Sequence, residues 1–162
     1  MSTAHQSLSA VSSSELPNAE SFRFGIVVAE WNSSITESLA KACNDSLLKA
    51  GVKSENIHRI NVPGSYELTA GASFLANQNK VDAIICLGCV IQGETKHFDF
   101  ICDAVANGLS NLTIKHNQPF IFGVLTTNTM EQAIDRSGGK HGNKGDEAAY
   151  TAIKMAALFA ME

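Results

Sequence analysis

The residues from Val81 to Phe100 read VDAIICLGCVIQGETKHFDF. The first part, VDAIICLGCVI (81–91), is an unbroken apolar run, as a strand buried on both faces of a sheet requires. It gives way to Gly93-Glu94-Thr95-Lys96-His97, and an amphipathic pattern follows at once. From about Thr95 onward, Phe98, Ile101, Cys102, Val105, Leu109 and Leu112 fall on one helical stripe.

The same succession of strand, turn and helix recurs on both sides of this stretch. FRFGIVVAE (22–30) predicts a first apolar strand, followed by the loop WNSS and a helix. In that helix Ser34 and Glu37 have capping-box spacing, and Leu39, Ala42, Cys43, Leu47 and Leu48 recur at helical intervals. Gly51 marks its end. ENIHRINVP (55–63) is a weaker second strand, and SYELTAGASFLANQ a second helix. PFIFGVLTT (119–127) is the fourth strand, and TMEQAIDRS a short helix capped by Thr129 with Gln132. A glycine-rich connector, GGKHGNKG, leads into the last helix, DEAAYTAIKMAALFAM. Continuous apolar strands alternating with helices predict an α/β fold, a flavodoxin-like three-layer sandwich whose four-stranded parallel sheet is flanked by helices. The chain shows no internal repeat and no second domain.

A length of 162 residues suits one core, and 44% hydrophobic against 17% charged residues rules out wholesale disorder. The formal net charge of -4 argues against a general nucleic-acid or anionic-membrane binder. No apolar run approaches the roughly 18 residues that span a bilayer. The opening MSTAHQSLSAVSSSELPNAE is Ser-rich, with no hydrophobic block and no arginine, unlike a secretion or mitochondrial signal. Residues 1–21 are therefore expected to form a disordered or extended tail, residues 22–162 a single domain, and the location to be cytoplasmic.

Of the four cysteines, Cys86 and Cys89 form a C-x-x-C. On a strand, a spacing of three points the two thiols to opposite faces, which suits neither a disulfide nor a zinc chelate. Buried small hydrophobes are the better reading.

In a parallel sheet all carboxyl ends share one edge, and ligands bind there where the strand order reverses. The four post-strand segments, AEWNSS, NVPGSYE, IQGETKH and TTNT, thus converge on one rim. Trp31 can stack on a planar ligand, or pack at the sheet margin. Glu67 suits a helix start through the dipole alone, and could equally accept hydroxyl hydrogen bonds from a polyol. Gly93 and Thr95 offer free N–H groups to an anion, with Glu94 an awkward neighbour. His97 lies in the first helical turn, where an imidazole can serve as a proton carrier. Taken alone, a solvent-facing residue is the plainer reading of such a histidine. The connector GGKHGNKG fails the spacing of a P-loop and follows a helix, which excludes nucleotide triphosphate hydrolysis as a natural reading. Arg136, Lys140 and Lys144 nevertheless cluster there; they suit phosphate capture or a solvated linker.

Together, Phe24-Gly25-Ile26-Val27, Trp31-Asn32, VPGSYE, GCVIQGETKHFDFI, FGVLTT and DRSGGKHGNKGDEAA resemble the lumazine synthase family of riboflavin biosynthesis, in order from Phe24 to the C-terminus. The resemblance implies condensation of 5-amino-6-(D-ribitylamino)uracil with 3,4-dihydroxy-2-butanone 4-phosphate to 6,7-dimethyl-8-ribityllumazine, releasing phosphate and water, with no cofactor and no metal. It implies that Trp31, where many relatives have Phe, stacks on the pyrimidine. Asn32, Ser65 and Glu67 bind the ribityl chain and ring edge, and Val90 and Ile91 offer backbone groups beside the ring. Gly93, Glu94 and Thr95 hold the butanone phosphate, and Arg136 arrives with Phe122 from the adjacent subunit to complete that site. Lys144 is expected near the heterocycle, and His97 as proton shuttle. Gln92 and Glu94 depart from the arginine and the small residue that many members carry, which bears on phosphate affinity. The resemblance further implies pentamers; the short, uninterrupted SGGKHGNKG is similar to members that pack twelve pentamers into a sixty-subunit icosahedral shell, with riboflavin synthase as a candidate companion.

Two other functions compete with the enzyme: a non-catalytic lumazine or flavin binder on the same scaffold, and a structural shell protein that keeps only the fold. The set Trp31, Glu67, His97, Phe122 and Arg136 favours the enzyme.

Overall fold

A computed structural model describes residues 16–78 and 80–161. The four apolar runs form strands β1 (Phe24–Ala29), β2 (Ile57–Val62), β3 (Ala83–Ile91) and β4 (Phe120–Thr127). All neighbours pair in parallel, in the order β2-β1-β3-β4. β1 is buried throughout, and β3 is buried up to its last two residues. That explains their unalternating apolar sequences: both faces are covered.

Helices α1 (Ser33–Lys49) and α5 (Lys144–Phe159) cover one face, over Phe24, Ile26, Val28, Ile85, Leu87 and Cys89. Helices α2 (Leu68–Gln78) and α3 (His97–His116) cover the other, over Val27, Ala29, Ile84, Cys86 and Val124. The fold is thus the expected flavodoxin-like three-layer α/β sandwich. Cys86 and Cys89 lie in opposite cores, as the strand period requires. All four cysteines are free thiols.

Several details differ from expectation. The Ser34–Glu37 capping box does not form. Asn32 takes the N-cap in a left-handed conformation, and Glu37 instead meets Arg59 of β2 at 2.5 Å. Gly51, at φ 92, does end α1, in a backbone region that L side chains avoid. A 3-10 turn, Ser65–Glu67, precedes α2, so Glu67 sits just ahead of the α-helix rather than inside it. Helix α3 begins at His97, two residues later than Thr95. The connector is no loose linker. After α4 (Met130–Asp135) it folds into a two-stranded antiparallel hairpin, β5 (Ser137–Gly139) and β6 (Gly142–Asn143), and α5 already starts at Lys144. Thr129 caps α4 as expected, accepting from the Gln132 N–H.

At the amino end, the expected tail boundary falls too late. Ala19 is fully buried in the core and Leu16 packs against it. The Phe22 N–H donates to the Ala19 carbonyl, and Glu20 pairs with Lys53. Residues 1–15 of the expected tail lie outside the described residues. Among the described residues no helix is long and apolar enough to cross a membrane.

Candidate active site

The carboxyl ends of β1, β2 and β3 surround a cavity of about 750 Å³. It lies where the strand order reverses between β1 and β3, the place that this topology leaves open to ligands. Nine of the residues singled out in the sequence line it: Trp31, Asn32, Ser65, Glu67, Val90, Ile91, Gly93, Thr95 and His97.

Trp31 follows β1 and is 73% exposed, so it is a rim residue and not margin packing. Its N–H donates to the Pro63 carbonyl at 3.1 Å. The Asn32 side-chain amide donates to the Cys89 carbonyl at 3.0 Å. Ser65 is buried, and its hydroxyl has no partner among the described residues. A Cβ on Gly88 of β3 would come within 2.7 Å of that hydroxyl, so glycine is what lets the Ser65 turn settle against the strand. Glu67 is half-buried and folds its carboxylate back over Gly64.

The β3–α3 turn is open. Gly93 has nothing within 4 Å of where a Cβ would stand. Gln92 is still tied to the sheet through the Thr127 carbonyl. The Thr95 hydroxyl accepts from the His97 N–H at 3.4 Å, so a threonine side chain satisfies one of the orphan donors of α3. His97, first residue of α3, is solvent-exposed and faces the cavity.

Four nominated residues do not line this cavity. Glu94 is exposed on the turn. Phe122 lies on β4, an edge strand, and is 37% exposed. Arg136 ends α4, where its guanidinium donates to both carboxylate oxygens of Glu147 at 3.5 Å. Lys144 opens α5 and reaches Glu147 at 3.0 Å. Glu147 is buried, so two cations converge on one carboxylate and leave the cluster cationic. Such a cluster is pre-paired yet still able to attract an anion.

Sequence reasoning missed Glu147, because nothing in a helix's first acidic turn marks it as the partner of an arginine on another helix. It also missed Tyr66, Phe98 and Ile101 as cavity walls. Phe98 and Ile101 belong to the apolar stripe of α3, but they fall at its open end and are only half-buried.

A family model described as 6,7-dimethyl-8-ribityllumazine synthase matches residues 21–160. The chain belongs to that family. The curated 6,7-dimethyl-8-ribityllumazine synthase of Cytophaga hutchinsonii is 60% identical over 157 residues, covering 97% of this chain and 98% of its own. Those of Parabacteroides distasonis and Flavobacterium johnsoniae are 54% and 53% identical, each over 96% of this chain and over 97% and 82% of their own. As a lumazine synthase family member, the chain is a transferase of riboflavin biosynthesis.

Proposed function

We propose that the cavity at the β1–β3 switch point is where 5-amino-6-(D-ribitylamino)uracil condenses with 3,4-dihydroxy-2-butanone 4-phosphate. The observation that carries this is the meeting of Trp31, Glu67 and His97 on one 750 Å³ cavity from three separate strand ends. An exposed indole, a carboxylate and an imidazole supply stacking, hydroxyl recognition and proton transfer within one space.

In this reading the pyrimidine stacks on Trp31, and the ribityl chain runs along Asn32, Ser65 and Glu67. The Val90 and Ile91 backbone takes the ring edge, and Lys144, in one cluster with Arg136, comes near the heterocycle from the adjacent subunit. The phosphate rests on Gly93, Glu94 and Thr95, opposite Arg136. The amine of the pyrimidine attacks the ketone and water leaves as the imine forms; phosphate is then eliminated, and the ribityl-bearing nitrogen closes the ring on the resulting ketone with loss of a second water. His97 carries protons for imine formation and phosphate elimination. Most of the acceleration comes from holding two reactive partners in register.

Arg136 and Phe122 stand outside the cavity of their own chain, which supports a site shared between adjacent subunits. Exposed Phe122, Met130 and Ile134 offer an apolar surface for such a neighbour. Pentamers, and a sixty-subunit shell built from them, follow from that reading together with the short β5–β6 hairpin. Riboflavin synthase is then a candidate companion. A cytoplasmic setting goes with four cysteines that remain thiols. The deciding experiment mixes purified protein with both substrates, without added metal, and follows lumazine fluorescence. Product formation no faster than the uncatalysed background sinks the proposal.

A further inference from the structure

The ladder between β1 and β3 ends at Val28 and Leu87, yet β3 continues to Ile91. The Cys89 carbonyl therefore faces a space where β1 supplies no further N–H. The Asn32 side-chain amide fills that space, at 3.0 Å. Asn32 reaches it from a left-handed backbone, φ 60 and ψ 46, a conformation asparagine tolerates better than most residues. Its own carbonyl accepts from the N–H groups of Ile35 and Thr36, so the same residue starts α1. On the other side, the Trp31 N–H is held by Pro63 and the Glu30 N–H by Val62. Trp31 is 73% exposed, so packing does little to place it and its backbone anchors set where the side chain starts.

We propose that Asn32 is a positioning residue for Trp31: its amide replaces the missing strand donor and stitches the β1 exit to β3. The backbone that carries the stacking ring is thereby held before ligand arrives. This rests on the cavity being the pyrimidine site, and it gives Asn32 an action through Trp31 besides its place along the ribityl chain. Fixing a recognition surface in advance removes an ordering cost from binding.

The test uses two variants of the full chain. Asn32→Gly keeps the left-handed backbone but removes the amide. Asn32→Asp keeps the shape but turns an acceptor toward the Cys89 carbonyl. Trp31 is the sole tryptophan, so time-resolved anisotropy of the ligand-free protein reports its local motion alone. Both variants should show faster local depolarisation than wild type before any ligand is added. KM for the pyrimidine should rise about tenfold, the order of one lost hydrogen bond, with kcat changed by much less. Unchanged depolarisation in ligand-free Asn32→Gly and Asn32→Asp overturns the proposal, and a raised KM in that case assigns Asn32 to direct contact. The anisotropy arm stands without turnover, so an inactive wild-type chain would count against the proposed reaction and leave the stitch separately tested. If one variant fails to fold, the other supplies the comparison.

Discussion

In the proposed reaction His97 moves protons and does not hold the substrates together. His97→Ala should therefore lower kcat by roughly 10²-fold, the lower end of general acid–base contributions. Affinity for the lumazine product, read from quenching of Trp31, should stay within about threefold, less than the tenfold that 1.4 kcal/mol represents. An unchanged kcat would remove His97 from the proton transfers. Glu147 acts one step further away. Glu147→Gln preserves the shape but removes the charge on which Arg136 and Lys144 converge. KM for the butanone phosphate should rise several-fold, on the order of a weakened charge-assisted hydrogen bond. Steady-state kinetics at varied butanone phosphate reads this directly.

Among the elements, α5 packs closely on α1 at Gly145. A Cβ there would stand 2.0 Å from the Leu39 carbonyl oxygen, a backbone atom that cannot rotate aside. Gly145→Ala should cost stability at or above the upper end of the roughly 1–3 kcal/mol seen for overpacking, measured by urea unfolding. Gly93→Ala is the contrast: open space surrounds it, and stability should hold within about 0.5 kcal/mol. The elements that sequence identifies well are those whose signal is local. β1 and β3 announce themselves by continuous apolar runs, α3 by its stripe, and the convergence of loops on one rim follows from parallel pairing alone. What sequence hides depends on distant partners. Glu37 sits at capping-box spacing, but its carboxylate is drawn to Arg59 on the neighbouring strand, and the left-handed Asn32 has already begun the helix. The β5–β6 hairpin is too short for any period to show, and positive φ at Gly138 and Gly142 shapes it. The cavity walls at Phe98 and Ile101 read as core because a stripe does not reveal where its cover ends.

At the scale of the whole molecule, a shared site has an arithmetic consequence. His97→Ala and Arg136→Ala chains, mixed and reassembled, should regain activity. Random pairing of neighbours in a ring leaves about a quarter of sites with both residues intact. No recovery would place both residues in one chain's site. Light scattering should give the mass of sixty subunits; a single pentamer's mass would refute the shell. The buried thiols add a dependence on pH. Burial pushes Cys89 from its ordinary 9.0 up to about 11, and raises Cys43 and Cys86 further. A raised folded-state value means the stabilisation is complete below the ordinary value and is lost as pH climbs through the raised one. The urea midpoint should thus decline between pH 9 and 11, and Cys89→Ala should soften that decline.

The anchorage of the amino arm has a practical outcome. Ala19 and Phe22 dock beside the start of β1, where the Arg23 N–H is held by Asp82. Trp31 stands past the other end of that strand, so about 20 Å of sheet separates them at 3.3 Å per residue. Labels placed at exposed Asn18 or Glu20 therefore stand at the end of the sheet remote from the proposed site. Labelled chains should turn over at the unlabelled rate, which makes the amino end the natural point from which to engineer this protein.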